Sequence, residues 1–239
     1  MRAPAMNQQQ SLAPPSLPET PLEAIQDLID EKVIVEGHSF LIMRPTDSDK
    51  LLDHPAVRAA FAADEYMPYW TDLWPAARML AKAIMRENWQ KGIHALEIGC
   101  GLGLPSIAAL AKGLRVTFSD YDATALKFAA NNAQANGFEN FETLQLDWRY
   151  PPADLKAPVV LGADLIYENR NVEPVVNLIK QILAPDGVAL VADQDRIPAE
   201  QFRQALTDRG LLFTSKIMHA GEPGGRRVKG SLYRITQGK

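Results

Sequence analysis

The clearest indication of the fold is the glycine-rich segment Glu97-Ile98-Gly99-Cys100-Gly101-Leu102-Gly103. It follows an apolar run, His94–Ile98, that predicts a strand, and it precedes Pro105–Lys112, which predicts a helix. Gly99 and Gly101 permit a tight turn and let a ligand approach the main chain closely. In nucleotide-binding α/β domains, a glycine-rich turn of this kind holds a cofactor at the edge of the sheet.

Strand and helix signals alternate on the C-terminal side of this turn, which indicates a parallel, doubly wound sheet. Further strands are predicted at Arg115–Ser119, Glu142–Gln145, Pro158–Gly162 and Val188–Ala192, with helices at Ala123–Asn136, Val172–Leu183 and Ala199–Arg209. Two last strands, Leu211–Met218 and Leu232–Ile235, have no helical segment between them and therefore predict an antiparallel edge pair. The expected fold class is α/β, with a mostly parallel seven-stranded Rossmann-like sheet.

The N-terminal part of the chain divides into two predicted regions before the main domain. Residues 1–21 are rich in proline and glutamine and poor in large apolar groups, which predicts a disordered tail. Residues 22–64 predict a small extension, with a helix from the spacing of Leu22, Ile25, Leu28 and Ile29, and a β-hairpin around Glu36-Gly37-His38. The main domain is expected at 65–239, and it includes a helix that begins at Pro75.

Composition excludes several classes of function. The 239 residues include 25 Lys and Arg against 29 Asp and Glu, a formal net charge of −4, which disfavours nucleic acid as a partner. The single cysteine and the scattered histidines lack zinc-site spacing, so we expect no metal. No segment resembles a signal peptide or a membrane span, and nothing demands a dimer. We therefore expect a cytoplasmic monomer.

Acidic residues follow the next two predicted strands. Asp120 ends the second strand, nineteen residues after Gly101, where a carboxylate can accept hydrogen bonds from both ribose hydroxyls of a nucleotide. Asp122 is better interpreted as the N-cap of the following helix. Asp147-Trp148 follows the third strand, where the carboxylate can accept from an adenine amino group and the indole can cover the ring.

The glycine spacing separates two kinds of cofactor. Dinucleotide-binding oxidoreductases require Gly-x-Gly-x-x-Gly, and Leu104 stands at the third glycine position here. The pattern acidic-x-Gly-x-Gly-x-Gly that the chain does carry is typical of proteins that bind S-adenosyl-L-methionine. A nicotinamide-dependent oxidoreductase is therefore the weaker alternative.

With these residues, the chain resembles the class I, seven-β-strand S-adenosylmethionine-dependent methyltransferases over about residues 65–239. It is most similar to the Asp-x-x-Tyr protein-lysine methyltransferase group, some of whose bacterial relatives are labelled nicotinamide N-methyltransferase-like. Three motifs carry the resemblance: Leu73-Trp74-Pro75-Ala76-Ala77, Leu146-Asp147-Trp148 and Gly162-Ala163-Asp164-Leu165-Ile166-Tyr167. The proline-rich N-terminus lies outside it.

The resemblance implies a role for each matching residue. Asp164 and Tyr167 are expected to face the acceptor as catalytic residues, Asp164 orienting an ammonium group and helping its proton leave. Cofactor contacts are expected from Trp74, Glu97, Gly99, Cys100, Gly101, Gly103, Asp120, Tyr121, Asp147, Trp148 and Ala163. Asp164 has an alternative interpretation as a helix cap or loop hydrogen-bonding group, Cys100 as a small packing residue, and Tyr69 and Trp70 either as lining of an acceptor channel or as core.

The predicted activity is N-methylation of a lysine side chain in a protein substrate, by in-line transfer from S-adenosyl-L-methionine. The chain lacks the Asn/Asp-Pro-Pro-Tyr motif of amide and adenine methylases and the Pro-Cys motif of cytosine methylases. Two alternatives stay open, a small-molecule amine methyltransferase and a non-catalytic module that binds the cofactor. The basic run Arg226-Arg227-Val228-Lys229, between the last two strands, is either a solvated loop or a contact for an acidic protein surface.

Overall fold

A computed structural model of the chain describes residues 17–25, 27–221 and 227–238. The helices are α1 (Asp49–Leu52), α2 (Pro55–Asp64), α3 (Pro75–Arg86), α4 (Leu104–Ala111), α5 (Ala123–Ala135), α6 (Asn169–Ile182) and α7 (Ala199–Asp208). The strands are β1 (Leu28–Val35), β2 (His38–Pro45), β3 (His94–Ile98), β4 (Arg115–Asp120), β5 (Glu142–Gln145), β6 (Ala157–Ala163), β7 (Leu183–Asp193), β8 (Leu211–Ala220) and β9 (Val228–Gln237). Among the described residues, no helix is long and apolar enough to cross a membrane.

Seven strands form one sheet in the order β5-β4-β3-β6-β7-β9-β8. The first five pair in parallel, whereas β9 pairs antiparallel with both β7 and β8. This arrangement confirms the predicted fold class, including the antiparallel edge pair. The chain leaves β3 toward β4 and β5 and later returns to β6 on the other side of β3, so a crevice opens at the carboxyl ends of β3 and β6.

Helices cover both faces of the sheet, as the alternation of buried residues along the strands requires. Ala95 and Val159 point into the core formed with α3, α4 and α5. Their neighbours Leu96 and Val160 point into the opposite core, formed with α6 and α7. The central strands are thus buried on both sides, and the residues free to meet a ligand are those at the strand ends.

The β1–β2 hairpin packs on the main domain through polar contacts as well as apolar ones. Asn132 on α5 accepts from the backbone N–H of Met43 at 2.8 Å and donates to its carbonyl at 3.1 Å. Asn136, one turn later, makes the same pair of bonds with Leu41 at 2.9 and 2.7 Å. The two asparagine side chains thus form hydrogen bonds with the edge of β2 that does not pair with β1. These bonds position the segment that leads to α2.

Two details of the N-terminal region differ from the sequence expectations. The helix expected from Leu22, Ile25, Leu28 and Ile29 is a single 3-10 turn at Leu22–Ala24, and Leu28 already begins β1 because its pairing with β2 outweighs the helical spacing. Within the stretch assigned to the tail, Thr20 is buried and its backbone N–H donates to Asp122 at 3.1 Å. A polar anchor of this kind leaves no apolar pattern in the sequence. Residues 1–16 lie outside the described residues.

Candidate active site

A cavity of about 540 Å³ opens at the carboxyl ends of β3, β4 and β6. Every residue that the sequence nominates for the site lines it: Trp74, Glu97, Gly99, Cys100, Gly101, Gly103, Asp120, Tyr121, Asp147, Trp148, Ala163, Asp164 and Tyr167. We call residues 97–103, Asp120 and 147–148, which include most of the residues predicted to contact the cofactor, the cofactor half of the cavity. Asp164 and Tyr167, which were predicted to face the acceptor, belong to the acceptor half. Two further side chains are grouped with them by position: Arg196, for which the sequence predicted no role, and Trp74, which was predicted to contact the cofactor but lies against Arg196. The contacts of individual residues with a cofactor or an acceptor stay predictions.

The glycine turn adopts the backbone that its sequence predicts. Gly99, Gly101 and Gly103 all have positive φ values, of 65°, 50° and 84°. A Cβ added at Gly99 would lie 2.8 Å from a side-chain carbon of Leu165 and 2.9 Å from the ring of Trp148. Glycine is thus required there both by the left-handed conformation and by the close packing of the indole.

Asp120 braces this turn from the end of β4. One carboxylate oxygen accepts from the N–H of Gly101 at 2.8 Å, and the other accepts from the N–H of Asp122 at 3.1 Å. Burial raises the pKa of Asp120 to about 6, although these two hydrogen bonds oppose the shift. Each oxygen keeps lone pairs for further donors, which is compatible with binding a ribose diol.

Glu97 and Cys100 are buried more deeply within the turn. Glu97 accepts from the N–H of Ser106 in the first turn of α4 at 3.0 Å, and burial raises its pKa to about 8. Burial also raises the pKa of the Cys100 thiol, which excludes it as a ready nucleophile. Both residues line the cavity, yet their contacts mainly hold the turn against α4 and the sheet.

Asp147 and Trp148 occupy the side of the cavity nearest β5. The carboxylate of Asp147 is engaged by Arg149, whose Nε lies 2.9 and 3.0 Å from its two oxygens. An adenine amino group would therefore share this carboxylate with a guanidinium. The indole of Trp148 packs on Gly99, and its N–H is buried without a partner among the described residues.

A latch that the sequence did not reveal joins α2 to the cofactor half. Arg149 forms a bidentate pair with Asp64, the last residue of α2, with both N–O distances at 2.8 Å. The hydroxyl of Tyr121 donates to Asp64 at 2.7 Å, and burial together with this carboxylate raises the Tyr121 pKa to about 12. Beside it, Arg170 pairs with Glu65 at 2.5 Å. The C-terminus of α2 is thereby held over the cavity.

Asp122 acts as a structural hub beside the cavity, and its predicted role as N-cap is confirmed. Its side chain caps α5 by accepting from the N–H of Thr124 at 2.7 Å. It also accepts from the hydroxyls of Thr20 and Tyr66, and from the indole N–H of Trp70 at 3.1 Å. Trp70 is buried, and both Trp70 and Tyr69 line the cavity.

Asp164 is the central group of the acceptor half. It follows β6 with a φ of 54°, in the left-handed region that residues other than glycine adopt infrequently, although aspartate does so more often than most. Its Oδ2 accepts from the side-chain amide of Gln194 at 2.8 Å, whereas its Oδ1 is buried and has no hydrogen-bond partner among the described residues. Burial raises the pKa of Asp164, and the nearby Arg196 opposes that shift. Backbone strain combined with an unpartnered buried oxygen is typical of a functional position.

Aromatic rings line the same part of the cavity as this carboxylate. The ring centroids of Tyr69 and Tyr167 lie 4.9 Å apart, and burial raises the pKa of Tyr167 to about 12, so its hydroxyl stays protonated. The indole N–H of Trp74 donates to the carbonyl of Tyr69 at 2.7 Å, which orients the tryptophan ring. Arg196, which sequence reasoning missed, lies over that ring at 5.1 Å. Nothing in the sequence around residue 196 distinguishes it from a surface arginine.

The described part of the basic run is not among the residues that line this cavity. Arg226 falls outside the described residues, and the described part, Arg227 to Lys229, does not line the cavity. Val228 and Lys229 belong to β9 and pair with the end of β8. The run therefore contributes no side chain to the cavity walls that the structure describes.

The cofactor half fits S-adenosylmethionine in its chemistry. Gly99 and Gly101 leave the main chain open, and the unpartnered Trp148 indole lies against the turn where a purine ring would be covered. The carboxylate oxygens of Asp120 lie against the turn, as the predicted contact with a ribose requires.

Comparison with known proteins agrees with this fit. A family model described as "Lysine methyltransferase" matches residues 67–208, more than half of the chain. Protein-lysine N-methyltransferase rrg1 of Schizosaccharomyces pombe is 28% identical over 183 residues, 68% of this chain and 58% of that protein. The histidine protein methyltransferase 1 homolog of Dictyostelium discoideum is 31% identical over 129 residues, 51% of this chain and 42% of that protein.

A solved structure supports the fold. Ribosomal protein L11 methylase from Lactobacillus delbrueckii subsp. bulgaricus superposes with a TM-score of 0.54 over 69% of this chain and 79% of that chain, at 21% sequence identity. The chain spans about half the length of the curated relatives that it matches. From the family match, the chain belongs to the lysine methyltransferase family of class I S-adenosylmethionine-dependent methyltransferases.

Proposed function

We propose that this methyltransferase transfers a methyl group to the side-chain nitrogen of a lysine in a protein substrate. One observation carries the proposal: Asp164 presents a buried carboxylate oxygen without a partner to a cavity walled by Trp74 and Tyr167. A carboxylate beside aromatic rings attracts an ammonium group. An acceptor that arrives as a cation and must react as a neutral amine needs such a group.

The chemistry of this chain follows from that need. When bound, S-adenosylmethionine supplies an electrophilic methyl group on a sulfonium. Asp164 holds the acceptor ammonium by a hydrogen bond and takes its proton, directly or through water, which leaves the nitrogen lone pair free. That nitrogen then forms the C–N bond as the C–S bond breaks in line, and the methylated amine carries the positive charge. Gln194 and the N–H of Ala76, at 2.8 and 3.4 Å, hold the other oxygen of Asp164.

Asp164 also argues against one form of the small-molecule alternative, a nicotinamide-like acceptor. The ring nitrogen of a nicotinamide-like acceptor is neutral and carries no proton, so it gains nothing from a buried carboxylate. A protein acceptor agrees with the family match and with the protein substrates named for the two curated relatives. The relatives' names include histidine as an acceptor residue, so the residue type itself must be measured.

The test is transfer of radiolabelled methyl from S-adenosylmethionine into a lysate of the source cells, followed by a denaturing gel. We expect a discrete labelled protein band with the wild type and none with Asp164→Ala. Asp186→Ala, which changes an exposed aspartate in the β7 region, is the matched control and should label normally. Mass spectrometry of the band should place the methyl group on lysine.

Three outcomes would contradict the proposal. Label confined to the small-molecule fraction would favour an amine methyltransferase. Methylation on histidine or arginine would leave protein methylation in place but change the acceptor. Cofactor binding by calorimetry without transfer to protein or small molecule would favour a silent binding module.

A further inference from the structure

The guanidinium of Arg196 lies inside the acceptor half, beside the two groups that suit an acceptor cation. Its Cζ is 5.1 Å from the centre of the Trp74 ring, and its Nη2 is 3.6 Å from Oδ1 of Asp164. The Arg196 side chain is 30% exposed, whereas that of Asp164 is 4% exposed. An aromatic face beside a carboxylate is a favourable binding site for a cation. In this structure the cation at that site is the guanidinium of Arg196.

Arg196 is held in this position only weakly. A separation of 3.6 Å is longer than a hydrogen bond, and among the described residues the Arg196 guanidinium has no hydrogen-bond partner. Arg149, in contrast, hydrogen-bonds to Asp147, Asp64 and Tyr121. Because Oδ1 of Asp164 also has no partner, an ammonium that hydrogen-bonds to it would make a better contact than Arg196 does.

The rest of this site is held without Arg196. Trp74 is oriented by its hydrogen bond to Tyr69, and Asp164 by its bond to Gln194. The backbone of the segment is anchored separately, since the N–H of Arg196 donates to Asp193 at 3.3 Å and Ser231 donates to Asp195 at 2.9 Å. The Arg196 side chain can therefore move toward solvent while the carboxylate and the indole keep their places.

We propose that Arg196 is the internal occupant of the acceptor's cation site and must be displaced by the substrate ammonium. Resting on the proposed function, this makes Arg196 a specificity-determining residue. A cationic side chain restores the contacts with Trp74 and Asp164 that the guanidinium gives up. A neutral acceptor restores neither, so Arg196 remains in place and keeps it out.

The test measures binding of n-butylammonium, which carries the charge and chain length of a lysine side chain, to the full chain loaded with S-adenosylhomocysteine. Removing the competing guanidinium in Arg196→Gln should tighten binding on the order of tenfold by calorimetry. Arg196→Met, which keeps the apolar stem on Trp74, should do the same if the glutamine variant folds poorly. Arg196→Lys retains a cation and should stay near the wild type.

Three controls make the result specific. Arg234→Gln removes a surface arginine that pairs with Glu87, and it should leave n-butylammonium affinity unchanged. The affinity for n-butanol, which is neutral, should be the same in Arg196→Gln as in the wild type. Adding Asp164→Asn to Arg196→Gln should remove the gain, because the carboxylate is then lost. Equal n-butylammonium affinity in the wild type and both neutral Arg196 variants would overturn the proposal, as would an equal gain for n-butanol.

Kinetics with the protein acceptor provide a second readout. Displacement predicts that Arg196→Gln lowers KM with kcat unchanged, whereas lower kcat at unchanged KM would make Arg196 part of the catalytic step and contradict the proposal. Because n-butylammonium binding requires no methyl transfer, the two proposals can fail separately. If the protein methylates lysine but the Arg196 variants bind n-butylammonium no more tightly, only the displacement of Arg196 is disproved. A chain that shows the effect but methylates another residue disproves only the lysine acceptor.

Discussion

The two halves of the cavity differ in how their carboxylates are satisfied. In the cofactor half, Asp120 and Glu97 accept hydrogen bonds from backbone N–H groups of the elements that they brace. In the acceptor half, Asp164 has a left-handed backbone and one buried oxygen without a partner among the described residues. Asp120 and Glu97 are thus held in place by the main chain, whereas the acceptor half keeps a carboxylate oxygen without a hydrogen bond. Mutations should therefore be able to change affinity for the cofactor and turnover separately.

The largest loss of cofactor affinity is expected from Gly99→Ala. The new Cβ would meet Leu165 and Trp148 at 2.8 and 2.9 Å in a left-handed backbone, and strain of about 1–3 kcal/mol would displace the turn. We expect S-adenosylmethionine affinity by calorimetry to fall about tenfold or more. Gly137→Ala is the matched control, because its φ of 84° is similarly strained while nothing lies within 4 Å. Equal losses in both variants would contradict a specific role for the turn.

Asp120→Asn should lower the affinity for S-adenosylmethionine by about tenfold, which is similar to or less than the loss in Gly99→Ala. The reason is that a charged hydrogen-bond acceptor for the ribose diol is replaced by a neutral one. The pKa of Asp120 is about 6, so the wild-type carboxylate gains a proton as the pH falls through 6 and loses acceptor capacity. Wild-type affinity should therefore decrease between pH 8 and pH 5, and Asp120→Asn should flatten that dependence. An unchanged pH profile in the variant would show that Asp120 does not hold the cofactor.

Glu97→Gln tests whether the deepest carboxylate is mainly structural. Burial raises its pKa from 4.5 to about 8, so its contribution to stability is fully present below pH 4.5 and is lost as the pH rises through about 8. The wild-type melting temperature should thus fall more steeply from pH 5 to pH 8 than that of the variant, by at least about 2 °C. If the melting temperatures of the two proteins changed with pH in the same way, the Glu97 carboxyl would not be the group whose titration changes the stability.

The smallest effect on the cofactor half is expected from Arg149→Gln, which opens the latch between Asp147 and Asp64. Partly exposed ion pairs such as these stabilise a structure only modestly. We therefore expect the affinity for the cofactor to fall about two- to fivefold, and the cofactor to be released faster, as measured by stopped-flow fluorescence. Arg209→Gln removes a comparable exposed pair with Glu173 and is the control. Unchanged release would show that α2 does not restrain the cofactor.

Local sequence patterns predicted the sheet well because its signals lie within short segments. The strand at His94–Ile98 has the predicted bounds, and the glycine turn after it has the positive φ values expected of its residues. The order of the motifs along the chain also brought Asp120, Trp148 and Asp164 to one cavity, since parallel strands end at the same edge.

Features that depend on distant pairs were not predictable. Asp64 and Arg149 are separated by many residues and belong to no shared motif, so only the folded chain reveals the latch. Thr20 is likewise held by hydrogen bonds to distant residues such as Asp122 and Thr124, without an apolar pattern. Arg196 acquires meaning only from its distance to Trp74. The left-handed backbone of Asp164 has no sequence signature, because tertiary contacts impose it.

Asp164→Asn tests the separation of the two halves most directly. Calorimetry with S-adenosylmethionine and methyl transfer to the labelled protein acceptor should be measured on the same preparation. We expect cofactor affinity within about twofold of the wild type and turnover reduced by about 100-fold or more, as expected when a proton-accepting carboxylate is lost. Full turnover in Asp164→Asn, or a loss of turnover explained by lost cofactor binding, would contradict the separation of the two halves.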